Sequence, residues 1–281
     1  MCNLIKLELG ASKNYMLKTD DNGDTVELTL ENVAIIEAMI QNDSAYLKSY
    51  DITAAPKGKY KGSTAFWMTR LSKFLKKETD EYAYDFNTII TEAVTAVDRE
   101  NNTHLNAEKI PQDSENKEIG RKRISSEITK FGAKKIYKTL KEGKLDLIDV
   151  ISNKTNGGRI NISFASKFCH YACYYLFEGT EHQDNYPIYD NVLRKALPKY
   201  LKKYGIINSN KLKDYVGIID GSNRIVYSKY IEAIDCIIDK AEEQNGERIS
   251  RNGFDHLLWY YHKGISVEDV RIELRNRENG Q

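Results

Sequence analysis

Ser163-Phe164-Ala165-Ser166-Lys167-Phe168-Cys169-His170, followed by Tyr186-Pro187-Ile188-Tyr189-Asp190, is the stretch on which the reading of this chain turns. Phe164, Phe168, Ala172, Tyr175 and Leu176 recur at helical spacing, so a helix is predicted from near Ser163 to near Gly179, where glycine supplies the stop. Thr180 to Tyr189 reads as a short polar loop containing Pro187, and the next helix begins at Asn191 with Asp190 in position to cap it. Lys167 sits in strongly apolar surroundings made by Phe164, Ala165, Phe168, Cys169 and Ala172. A buried ammonium needs a partner or must shift its pKa. With Ser163 as the cap, Lys167 falls in the first turns, where the helix dipole and partial burial favour the uncharged amine. Lys167 and Asp190 lie 23 positions apart, a length that one helix and one loop can fold back on itself. They are a candidate catalytic pair, with plain capping the other role open to Asp190.

Outward from this stretch, Leu145, Leu147, Ile148, Val150 and Ile151 mark a preceding helix. Ser152 to Arg159, with Asn153, Asn156, Gly157 and Gly158, reads as a tight connection between the two helices. Glycine lets backbone amides approach a phosphate closely and Arg159 can add a bidentate contact, so Lys154, Gly157, Gly158, Arg159 and, downstream, Arg194 are candidate DNA-binding residues. An ordinary interhelical turn is the alternative. Ile124, Ile128, Phe131, Ile136 and Leu140 form one apolar stripe, and earlier helices are expected around Val33–Ile40, Trp67–Leu75 and Phe86–Val97. Further helices are expected near 191–204, 224–243, 252–261 and 266–277. Leu4–Leu9 and Thr25–Leu30 alternate apolar with polar residues around Asp20-Asp21-Asn22-Gly23, which predicts a small hairpin. Arg99 to Lys117 is polar, contains Pro111 and reads as a linker. The expected fold is mainly α with a small N-terminal β-hairpin, divided into an α+β region, 1–110, and a helical region, 118–281.

The 281 residues suffice for one large core or two modest ones. Four cysteines, Cys2, Cys169, Cys173 and Cys236, show neither a dense disulfide framework nor paired CxxC knuckles, which favours a reducing, cytoplasmic setting. Cys169 and Cys173 could share a metal with His170 or His182, but small buried cysteines are the commoner outcome, and no metal or other cofactor is expected. No run of about 18 apolar residues occurs, so no membrane association is expected. Net charge is only +1, yet its distribution is uneven. Arg121 to Lys144 holds nine basic residues against Glu127 and Glu142, and Arg194 to Lys213 holds seven with no acid between them. Such stretches suit phosphate neutralisation or are plain solvated helix faces.

The lysine-bearing helix, the glycine-containing connection before it and the Pro-Ile-x-Asp after it resemble the helix-hairpin-helix DNA glycosylase/AP lyases, in particular their 8-oxoguanine glycosylase branch. The resemblance covers roughly Ile119 to Asn191, and Phe254-Asp255-His256-Leu257-Leu258-Trp259 resembles the closing helix of bacterial proteins of this type. The hairpin lacks the Leu-Pro-Gly-Val-Gly spelling, and Asp190 is followed by Asn191-Val192. The resemblance implies a helix-hairpin-helix glycosylase-like architecture and cleavage of the N-glycosidic bond of a modified or damaged base in DNA. A carboxylate such as Asp190 stabilises positive charge developing at the anomeric carbon. A neutral Lys167 can attack that carbon and form a Schiff base, adding AP lyase activity. Such enzymes rotate the target base into a pocket, for which Phe164, His170, Tyr189, Trp259 and Tyr260 are candidates. The implied partner is DNA carrying such a base, with no obligatory protein partner. Repair and antiviral defence against modified phage DNA both fit, as does a noncatalytic DNA-binding or defence module on the same fold.

Overall fold

A computed structural model describes residues 17–42, 61–101, 119–153, 160–206 and 226–263, together with Pro56, Thr103 and Leu105. The described residues are mainly helical and contain no strand. The α-helices are α1 (Leu30–Asn42), α2 (Thr64–Lys76), α3 (Phe86–Asn101), α4 (Ile119–Phe131), α5 (Ala133–Lys141), α6 (Asp146–Asn153), α7 (Ile162–Leu176), α8 (Asn191–Lys203), α9 (Tyr227–Asn245) and α10 (Arg251–Lys263), and Glu181–Asp184 forms a 3₁₀ turn. None of them is long and apolar enough to cross a membrane. The chain packs as two compact units, one of residues 1–47, 190–221 and 225–281, the other of 48–189 and 222–224.

In the first unit, Leu4–Leu9 lies outside the described residues, while the turn at Asp20–Gly23 is present as a single antiparallel bridge, Thr19 to Val26. Asp20 builds it: its backbone N–H donates to Thr25 O at 3.0 Å, and its carboxylate accepts from Asp24 N and Thr25 Oγ1 at 2.8 and 2.7 Å. Asn32, fully buried on α1, holds the turn through three bonds to the backbone of Lys18 and Glu27. Helix α10 packs on α1, α8 and α9, burying Phe254, Leu257 and Leu258. Gly253 permits the α1 approach, since a Cβ there would lie 2.9 Å from Val33 Cγ1. The Tyr200 hydroxyl accepts from Val26 N at 3.0 Å and also lies 3.1 Å from His262 Nε2.

The second unit is built on α7, which packs against α2, α3, α5 and α6. Ser63 starts α2 by accepting from Phe66 N at 3.0 Å. At the end of α3 the buried Asp98 gathers Thr103 Oγ1, Leu105 N and, at 2.8 Å, Arg121 Nε of α4, which ties the two helices. The stripe expected as one run from Ile124 to Leu140 is two helices. Gly132 adopts φ +86°, a left-handed value that breaks the run, while Ile124, Ile128, Ile136 and Leu140 on either side stay fully buried.

Two outcomes follow from the first unit. Gly253→Ala gains about 1 kcal/mol of helix propensity but overpacks a stiff β-branched neighbour at a cost of about 1–3 kcal/mol, so its denaturant midpoint falls. Burial first, then Lys199, lowers the His262 pKa from 6.5 to about 4. The unfolded chain therefore binds the proton first, and stability that is full above about pH 6.5 is lost as pH falls towards about 4. Thermal melts across that window should decline less steeply for His262→Gln, which cannot titrate.

Candidate functional site

Helix α7 starts one residue earlier than expected. Asn161 occupies the cap position with no side-chain cap bond, and Ser163 lies inside the first turn. Lys167 is consequently the sixth helical residue, beyond the turn where the helix dipole acts most strongly. Its setting comes from helical periodicity. Ile162, Phe164, Ala165, Ser166, Phe168, Cys169, His170, Ala172, Cys173 and Leu176 are buried, leaving Ser163, Lys167, Tyr171, Tyr174 and Tyr175 half-buried. Tyr171 is anchored, its hydroxyl donating to Asn101 Oδ1 of α3 at 3.1 Å. At the base of the 153–160 connection, Asn161 N donates to Ser152 O at 3.2 Å and closes α7 onto the end of α6.

The return loop is less polar in place than its composition suggests, because Tyr186 and Tyr189 are both buried. Each bond that fixes it has an identifiable donor. Asn185 Nδ2 reaches the carbonyls of Leu140 and Lys141 at the end of α5 at 2.8 and 3.1 Å. The Tyr186 hydroxyl meets the Thr139 and Lys144 carbonyls at 3.0 and 2.6 Å. His170 Nδ1 lies 3.0 Å from Tyr186 O. A carbonyl can only accept, so Nδ1 carries the proton. Ser166, with 0% exposure, accepts from Tyr189 N at 3.0 Å and donates to Ser163 O at 3.1 Å. The loop is therefore laid along residues 166 and 170 of α7, and the residue before Asp190 is bonded to the residue before Lys167.

Asp190 begins the second stretch of chain that belongs to the first unit and caps α8. Its Oδ1 accepts from Val192 N and Leu193 N at 2.8 and 2.9 Å. Both cap bonds end on that one oxygen, so Oδ2 takes no part in the cap. At 9% exposure the residue keeps some contact with solvent. Arg194 turns its guanidinium to Asn191 Oδ1 at 2.8 Å. Trp259 on α10 is half-buried with Lys263 Nζ 4.0 Å from its ring centre, and Tyr260 beside it is buried. Lys167, Phe164, His170 and Tyr189 belong to the second unit, whereas Asp190, Arg194 and Trp259 belong to the first. Lys154, Gly157, Gly158 and Arg159 lie outside the described residues.

Phe164 is 1% exposed and its ring tilts against Phe168, and the buried His170 is committed to Tyr186. Stacking of a base on either requires α7 to open. Burial pushes the Cys169 and Cys173 thiols up, with Cys169 adding to the shift at Cys173, so neither is a thiolate near neutral pH. Among the described residues no group of three His, Cys, Asp or Glu side chains is arranged to hold a metal. His182 packs edge-on to Phe177. Sequence reasoning missed Ser166 and Tyr186; a serine inside an otherwise apolar helix face was the available signal, because a buried hydroxyl needs a partner.

Compared with known proteins, the chain matches no protein-family model, no curated protein and no solved structure.

Ser166→Ala leaves the buried Tyr189 N–H without its acceptor. Chemical denaturation should show a loss of about 1–3 kcal/mol, whereas Ser163→Ala, which leaves that acceptor in place, should cost less.

Proposed function

We propose that the chain is a DNA glycosylase of the helix-hairpin-helix type, excising a modified or damaged base with Lys167 as nucleophile and Asp190 as electrostatic partner. The observation that carries the reading is Lys167 itself, a half-buried lysine on a helix most of whose residues are buried. The Tyr189–Ser166 tie, which leads the chain from that helix to Asp190, adds to it. The Lys167 amine, in its neutral form, attacks the anomeric carbon. The Nζ–carbon bond forms as the glycosidic bond breaks, and the base leaves with the bonding pair and takes a proton. The nitrogen lone pair then forms the C=N bond as the C1′–O4′ bond breaks, and O4′ leaves with the bonding pair and takes a proton, which gives a protonated Schiff base. Loss of the adjacent C2′ proton then expels the 3′ phosphate, which is the lyase step. The Asp190 carboxylate stabilises the positive charge that develops on the sugar. Both a damaged base in the cell's own DNA and a modified base in phage DNA fit this chemistry.

Incubation with genomic DNAs carrying different base modifications, followed by mass spectrometry of released bases, tests activity and substrate together. Borohydride should trap a covalent protein–DNA adduct that Lys167→Gln abolishes. Asp190→Asn should slow base release by about 10²–10³-fold with little loss of stability, because asparagine caps a helix about as well as aspartate. Normal turnover by both variants would remove the mechanism.

A second reading is favoured by the Asp190 cap, which accounts for that residue without chemistry: a noncatalytic DNA-binding module. It predicts salt-sensitive DNA retention with no released base from any of the DNAs.

A further inference from the structure

We infer that the consecutive helices α4 and α5 carry the surface that tracks the phosphate backbone of duplex DNA. The inference rests on the reading of the chain as DNA-acting and names the face that meets the duplex. Lys122, Arg123, Lys130, Lys134, Lys135, Lys138, Lys141 and Lys144 are all exposed to solvent in whole or in part. The two acids of the same span are already engaged. Glu127 meets Lys130 at 2.9 Å, and Glu142 meets Lys144 at 2.6 Å and Lys138 at 3.9 Å. Among the described residues no carboxylate lies within ion-pair distance of Lys134, Lys135 or Lys141, and Lys135 rests over the Phe131 ring at 4.1 Å.

The outward side of α5 is built from lysines: Lys134, Lys135, Lys138 and Lys141. Its buried residues, Ile136, Thr139 and Leu140, fix the opposite face inward, and the helix packs on α6 and α7. Lys134–Lys138, Lys135–Lys138 and Lys138–Lys141 are like-charge neighbours at helical spacing, an arrangement that costs an isolated helix stability. A polyanion reverses the sign of that cost. A protein partner fits less well, since protein interfaces are built on aromatic centres and are depleted in lysine. From Lys134 to Lys141 the helix rises about 10 Å, enough to run beside about three phosphates of one strand at about 3.4 Å apiece.

The test is fluorescence anisotropy of an unmodified duplex, titrated with the full chain across a range of salt concentrations. For K134Q/K138Q/K141Q the log–log salt slope should flatten by about 2–3, roughly 0.9 for each phosphate no longer neutralised, with low-salt affinity down about tenfold or more. K134R/K138R/K141R should restore both. K229Q/K240Q removes lysines already paired with Glu232 and Glu243 and should leave the slope as it was. Thermal melts show that each variant is folded. An unchanged slope in the glutamine variant, failure of the arginine variant to restore it, or no duplex binding by the wild type would each overturn the inference. Base release reports separately on Lys167. A chain that binds through this face yet frees no base sinks the glycosylase reading alone, and one that frees bases with an unaltered slope sinks this inference alone.

Discussion

The segment that leaves α7 must carry its backbone polar groups over apolar ground, and the burial of each without a partner costs free energy comparable to a missing hydrogen bond. Its route is therefore set by where donors and acceptors exist. Ser166 and His170, one turn apart on the buried side of α7, supply an acceptor for Tyr189 N and a donor for Tyr186 O. Asn185 and Tyr186 in turn satisfy carbonyls at and beyond the end of α5. One small set of polar groups thus joins α5, α7 and the loop, and the candidate nucleophile stands on the helix that these bonds immobilise.

Helical periodicity made most of this legible. Residues that recur every three to four positions do so because one face is buried, and the helices containing Val33, Trp67, Phe86, Leu147, Phe164, Leu193 and Phe254 lie where that logic puts them. The rest depended on single residues whose effect is conformational or depends on partners distant in sequence. Gly132 interrupts a continuous apolar stripe because its φ is positive, and the spacing of Ile128 and Ile136 carries no trace of it. Asn161, not Ser163, takes the cap position, a shift of two residues that periodicity cannot resolve. Ser166 was readable only as an anomaly, and its partner, Tyr189, is 23 residues away. One of the cuts between the two units falls at Asp190, where composition changes little.

Asp190 illustrates how structure and chemistry can share one side chain. An N-cap consumes a single oxygen when both amides converge on it, as Val192 N and Leu193 N do on Oδ1. A carboxylate held in this way has little rotational freedom left to lose, and preorganised charge of this kind stabilises a transition state without reorganising first. The same bonds would exist in a protein with no catalytic function. The cap therefore explains why an aspartate is tolerated at this level of burial, while only a change of charge with the cap preserved separates its two roles.

A net charge of +1 would place this chain among proteins with no particular affinity for polyanions, but a polyanion responds to the local field. Exposed charges act over a Debye length of about 8–10 Å at physiological salt, and on α9 Arg248 and Arg251 already bind Asp235, Asp239 and Glu242. On α5, by contrast, the lysines crowd one another while Glu142 divides itself between Lys138 and Lys144. Segregation of sign costs local stability that an even mixture would avoid. Binding to a phosphate backbone is one physical return on that cost, and it depends on where the charges stand on the helix rather than on their sum over the chain.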